Sequence, residues 1–224
     1  MSKVLVVAPH PDDELLGCGG TLLRRRSEEA NLGWLIMTKI SEDFGWSKKN
    51  VRERKSEIEQ VRDRLGIRQK DFFQLGFSTT RLDSIPMVDL IKKVSEVFQA
   101  FQPEEILIPH HGDVHSDHRI TYEAVTSCTK WFRYPSVKRV LVYETLSETE
   151  FNFDPSQTFS PNVFVDISPF FKQKLELLRI YSSELGEFPF PRSETAIMAL
   201  AQFRGSSSGF EYAEGFKLLL ERNI

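Results

Sequence analysis

The stretch Lys3-Val4-Leu5-Val6-Val7-Ala8-Pro9-His10-Pro11-Asp12-Asp13-Glu14 decides the fold. Residues 3–8 form a continuous β-branched and apolar run, the pattern of a strand buried on both faces. Pro9 and Pro11 forbid regular pairing, so the chain leaves the sheet there. Residues 14–29 then place Leu15, Leu16, Leu22 and Leu23 at helical spacing. Acids at the start and Arg24-Arg25-Arg26 near the end suit the helix dipole. A buried strand, a proline-broken polar loop and a helix together open a parallel α/β sheet.

Working outward, strands are expected at 32–38, 71–75, 105–108, 139–143 and 162–167. Helices are expected at 51–65 (closed by Gly66), 86–101, 120–132 and 169–181. Residues 40–50 and 144–161 read as loops. Residues 182–210 carry Pro189, Pro191 and Gly205-Ser-Ser-Ser-Gly209 and read as a flexible flap. The alternation predicts an α/β sandwich with a mostly parallel sheet. No repeat or linker interrupts it, so 1–224 reads as one domain.

The composition excludes several classes. With 29 basic against 32 acidic residues, the net charge of −3 argues against a nucleic-acid partner. Cys18 and Cys128 are too few for a disulfide scaffold and suggest a reducing compartment. No apolar run approaches the roughly 20 residues of a membrane span. No secretory apolar segment precedes the first strand, so a cytoplasmic protein is expected.

All five histidines fall in two short loops, His10 in one and His110, His111, His115 and His118 in the other. Each loop begins where proline stops a strand. Carboxyl ends of strands are where ligands bind in open α/β sheets, so the two loops can meet over one crevice. They bring together Asp12, Asp13, Glu14, Asp113, Asp117 and the imidazoles. Imidazole with carboxylate and no cysteine is the ligand set of a catalytic zinc or related divalent ion. Adjacent Asp12 and Asp13 point in different directions, so one can ligate while the other accepts a proton from water. His115 and His118 lie three apart, so one can bind metal while the other faces substrate. Asp117 would raise the pKa of the substrate-facing imidazole and keep it protonated. Gly17-Cys18-Gly19-Gly20 is not GxGxxG, and its glycines read as permitting close helix packing. Ser116 lacks a GxSxG context, so a serine hydrolase is not indicated.

These motifs resemble a known family. Val6-Val7-Ala8-Pro9-His10-Pro11-Asp12-Asp13-Glu14 with Gly17-Cys18-Gly19-Gly20 resembles the N-terminal signature of the PIG-L/LmbE-like zinc deacetylases. His115-Ser116-Asp117-His118, with Thr121 and Ala124-Val125, resembles their second motif. Weaker matches are Arg54 with Glu57, Arg81-Leu82-Asp83, and Tyr212-Ala213-Glu214-Gly215-Phe216. The resemblance implies a Rossmann-like three-layer sandwich and removal of an N-acetyl group from an N-acetylglucosamine-type sugar conjugate. It implies His10, Asp13 and His118 as ligands of zinc or another divalent metal, and Asp12 as general base. It implies His115 as the stabiliser of the tetrahedral intermediate, with Asp117 its charge partner. Arg54, Arg81, Asp83 and Arg204 become candidate sugar contacts, as guanidinium and carboxylate groups suit hydroxyls. The chain departs in Pro9, where alanine or glycine is frequent, and in the extra pair His110-His111; His111 could line the sugar site. Phe188, Phe190 and Phe203 could cover an acceptor sugar or a homo-oligomer interface. Two other readings compete. A divalent-metal phosphoesterase would need two ions per chain, and a non-catalytic sugar- or nucleotide-binding module would lack a ligand or base.

Overall fold

The computed structural model describes residues 2–223. Strand β1 (Lys3–Ala8) is buried from Val4 onward and sits inside the sheet. Its side chains alternate: Val4, Val6 and Ala8 join one apolar cluster, Leu5 and Val7 another. The remaining strands are β2 (Asn31–Lys39), β3 (Phe72–Ser78), β4 (Glu105–Pro109), β5 (Arg139–Tyr143), β6 (Val163–Asp166) and β7 (Ala213–Glu221). Their order is β3-β2-β1-β4-β5-β7-β6. Every pairing from β3 to β5 is parallel, and β7 runs antiparallel to both neighbours.

Among the described residues, six α-helices cover the two faces: α1 (Asp13–Ser27), α2 (Lys48–Leu65), α3 (Met87–Phe101), α4 (Ser116–Thr126), α5 (Phe171–Leu178) and α6 (Glu194–Ser206). Helices α1, α2, α5 and α6 pack on the Val4–Val6 face. Helices α3 and α4 pack on the Leu5–Val7 face. The result is the expected three-layer α/β sandwich. Strand β1 has β2 on one side and β4 on the other, so the connections diverge there and open a crevice at the carboxyl ends.

Three sequence expectations change. The helix expected at 120–132 is α4 (Ser116–Thr126), because His115 Nδ1 accepts the Asp117 amide at 3.0 Å and starts the helix a turn earlier. The flap expected at 182–210 contains α6, whose start is capped by Ser193 Oγ accepting the Ala196 amide. Strand β7 has no counterpart among the expected strands, since Ala-Glu-Gly-Phe-Lys-Leu-Leu-Leu-Glu shows no clean alternation.

One irregularity helps to place the site. Helix α1 breaks at Cys18 (φ −147°, ψ 21°). The amides of Gly20 and Thr21, freed by the break, donate to the Glu214 carboxylate at 2.9 and 2.7 Å. Lys174 Nζ donates to the Leu16 carbonyl at 2.9 Å and to Glu214 at 2.7 Å. Gly17 packs so closely that a Cβ there would collide with the Tyr143 ring.

Candidate metal centre and substrate groove

Proline stops β1 at its carboxyl end, and the loop turns back into α1 through Asp12. Asp12 has φ 120°, a region L residues rarely occupy. Its amide donates to Glu14 Oε2 at 3.0 Å, and its carbonyl accepts the Leu15 and Leu16 amides at 2.9 Å. Glu14 is fully buried, receives a bond from the Tyr181 hydroxyl, and burial raises its carboxyl well above the ordinary value. This anchoring turns Asp13 inward from the first turn of α1.

From the other side of the crevice, α4 delivers His118. Asp13 Oδ2 stands 3.3 Å from His10 Nδ1 and 3.3 Å from His118 Nε2. One donor atom from each of the three residues falls within 4.8 Å of the others. Donors on a tetrahedral ion with bonds of about 2.1 Å stand about 3.4 Å apart. The spacing fits, and three protein ligands is the number that catalytic zinc sites use. The outer nitrogens fit as well. His10 Nε2 meets Asp117 Oδ2 at 2.9 Å, and His118 Nδ1 meets Asp113 Oδ2 at 2.8 Å. Carboxylates behind metal-binding imidazoles fix the tautomer and the ring orientation.

A second trio, His10, His115 and Asp117, also comes within 4.8 Å. It fits a metal less well. Asp117 is already committed to the Thr80 amide, the Leu82 amide and His10. His115 Nδ1 is occupied by the Asp117 amide. Among the described residues, one trio therefore suits a cation, which does not favour a two-metal phosphoesterase.

The charges inside the cluster are strongly coupled to burial. Burial and the adjacent Asp13 charge push the Asp12 carboxyl up to about 7, against the pull of Arg192. Asp13 is driven well below the carboxylate range, because His118 and His10 outweigh its burial. Burial pulls His10 down, but its bonds to Asp117 and Asp13 win and raise it to about 9. Burial and the nearby His10 charge lower His115 to about 4. This corrects the expectation that Asp117 keeps His115 protonated. The Asp117 carboxylate hydrogen-bonds to His10 and only its backbone amide hydrogen-bonds to His115, so the upward pull of its charge on His115 is outweighed by burial and His10. With Nδ1 accepting that N–H, the proton of neutral His115 sits on Nε2.

A groove of about 690 Å³ opens onto His10, Asp12, Asp13 and His115. Arg54 lines it, with Nη1 donating to the Pro11 carbonyl at 3.2 Å and its other arm on Glu184. Four other expected sugar contacts lie outside its lining. Arg81 and Asp83 are exposed at the short turn Leu82–Ser84. His111 is turned to Gln157 and Glu123. Arg204 is held by both oxygens of Glu144, away from the groove. Two residues at the site, Arg192 and Glu184, carry no mark in the sequence, and Asp113 is marked there only as one of the clustered acids. Arg192 Nη1 reaches Asp12 Oδ2 at 2.8 Å and Glu184 Oε2 at 3.1 Å. The hint for Asp113 is its place among the histidines of the 110–118 loop, five residues before His118, while nothing local marks Arg192.

The chain is similar to several known proteins. The GlcNAc-PI de-N-acetylase (PIG-L) family profile matches residues 5–129. A diacetylchitobiose deacetylase of Thermococcus kodakarensis is 27% identical over 236 residues, covering 98% of this chain and 84% of the relative. A probable N-acetyl-alpha-D-glucosaminyl L-malate deacetylase 2 of Bacillus cereus is 30% identical over 193 residues, covering 81% and 83%. Among solved structures, the conserved protein TT1542 from Thermus thermophilus superposes with a TM-score of 0.78 at 27% identity, covering 100% of this chain and 98% of that one.

Proposed function

The chain belongs to the PIG-L family, and from that premise we propose that it is a divalent-metal-dependent hydrolase removing the acetyl group from an N-acetylglucosamine-type sugar conjugate. The observation that carries this reading is the convergence of two carboxylate-backed imidazoles on Asp13, with a second carboxylate, Asp12, beside them at the groove. His10, Asp13 and His118 would hold the metal. When bound, it polarises the acetyl carbonyl and makes water acidic near neutral pH.

The chain's own groups supply the proton traffic. Asp12, with a carboxyl near 7, takes the proton of the attacking water. Oxygen adds to the carbonyl carbon, and the negative charge on the carbonyl oxygen is met by the N–H of His115 Nε2. The C–N bond then breaks, and the amine leaves with the proton that Asp12 carried. Asp12 is assigned this return step because His115 could bind a second proton only by losing the bond that caps α4. Arg54, on the groove wall, would bind sugar hydroxyls.

The test is acetate release from a panel of N-acetylglucosamine conjugates by metal-loaded protein, with a chelator control. Asp12→Ala should retain metal and lose about 10²–10⁴-fold in kcat, the usual weight of a general base. Full activity in that variant would remove Asp12 from the mechanism, and absence of acetate across the panel would remove the reading.

A further inference from the structure

The groove is larger than one acetamido sugar needs, with room in the range that holds a drug-sized ligand. Its direction is set by α2. Arg54 touches the metal-binding loop at Pro11, and Ile58 and Arg62 follow one and two turns further along the same helix face. Opposite them lies β3, one of the two edge strands of the sheet. This outer part is walled by apolar groups, chiefly Ile40, Trp46, Ile58 and Phe72. Trp46 leaves 41% of its surface exposed at the end of the loop that follows β2.

The charges of the outer groove are one-sided. Lys39, Lys55 and Arg62 face a single acid, Glu59. Lys55 approaches Glu59 at 3.9 Å, and Arg62 binds Asp63 and Gln69. Lys39 makes no ion pair among the described residues. A cationic group would be repelled here. A neutral polar group would leave the apolar walls in water.

We propose that the outer groove is an aglycone subsite for a conjugate whose aglycone joins a flat apolar portion to a negative charge. The apolar portion packs on Trp46 and Ile58, and the charge is met by Lys39. The inference rests on the deacetylase reading for its orientation, since the acetamido sugar must occupy the end beside His10 and Asp12.

Three compounds test it: the methyl, phenyl and 4-carboxyphenyl glycosides of N-acetylglucosamine. With metal-loaded protein, kcat/KM should rise about tenfold from methyl to phenyl and again from phenyl to carboxyphenyl. Trp46→Ala should collapse the phenyl-to-methyl ratio towards one. Lys39→Gln should collapse the carboxyphenyl-to-phenyl ratio and leave the phenyl-to-methyl ratio in place. Equal turnover of all three overturns the subsite and leaves the deacetylase reading standing. If none releases acetate, the deacetylase reading falls, and calorimetric titration of the same compounds still decides the subsite. The same order in Kd, with the same two losses, supports it, and equal affinities overturn it.

Discussion

Asp12 carries more constraints than any neighbour. Its positive φ costs about 1–3 kcal/mol for a residue with a side chain, and the surroundings must hold it there. Glu14 grips its amide, α1 grips its carbonyl and Arg192 grips Oδ2. That last contact leaves Oδ1 as the oxygen free to receive a proton from water. Arg192→Met should therefore lower kcat about tenfold with a smaller change in KM, and Arg192→Lys should recover part of the loss. A change confined to KM would show that Arg192 only binds substrate. Asp113 acts at the same scale through His118, to which it lies 2.8 Å away. Asp113→Ala should weaken metal affinity about 10–100-fold, read by competition with a chromogenic chelator on folded protein. His10, Asp12, Asp13 and His118 were legible because short loops crowd them at strand ends. Arg192 was not, because it lies 180 residues from Asp12 and only folding makes them neighbours.

At the scale of elements, the broken helix α1 explains why residues from opposite ends of the chain matter to one loop. The break at Cys18 strands two amides and a carbonyl, and Glu214 and Lys174 satisfy them as a buried ion pair. Lys174 and Glu214 are 3% and 5% exposed, so removing one leaves the other charged and dry. Lys174→Met should cost about 3–5 kcal/mol in urea unfolding. The double variant Lys174→Met with Glu214→Gln should recover part of that, since it removes both charges. The elements themselves were unevenly readable. β1, α2 and α3 announce themselves by apolar runs, a Gly66 cap and helical spacing. Helix α6 was hidden by the prolines and serines on either side of it, and β7 by a sequence that packs on its neighbours without alternating.

At the scale of the whole molecule, the sheet order sets where chemistry can occur. Because β1 lies between β2 and β4, the loops after β1 and β4 leave the sheet side by side, and two segments about 100 residues apart share one crevice. Alternation of strands and helices was enough to foresee that architecture, and with it the meeting of His10 and His118. Length and spacing carried no record of the outer groove, which depends on how α2 leans against the edge strand β3. The same topology makes metal binding a stabilising term for the entire fold. The ligands come from loops on two different strands, and the unfolded chain has no such cluster, so a bound cation favours the folded state by mass action. At a free metal concentration one hundred times Kd this amounts to about 2.7 kcal/mol. For a chain of 150–250 residues that is a rise of about 5–10 °C in Tm. The rise should grow with metal concentration, vanish on chelation, and be absent in His118→Ala, in which one loop no longer contributes a ligand. A Tm indifferent to metal, or a His118→Ala variant stabilised as much as the parent, would show that the two loops do not close on a common ion.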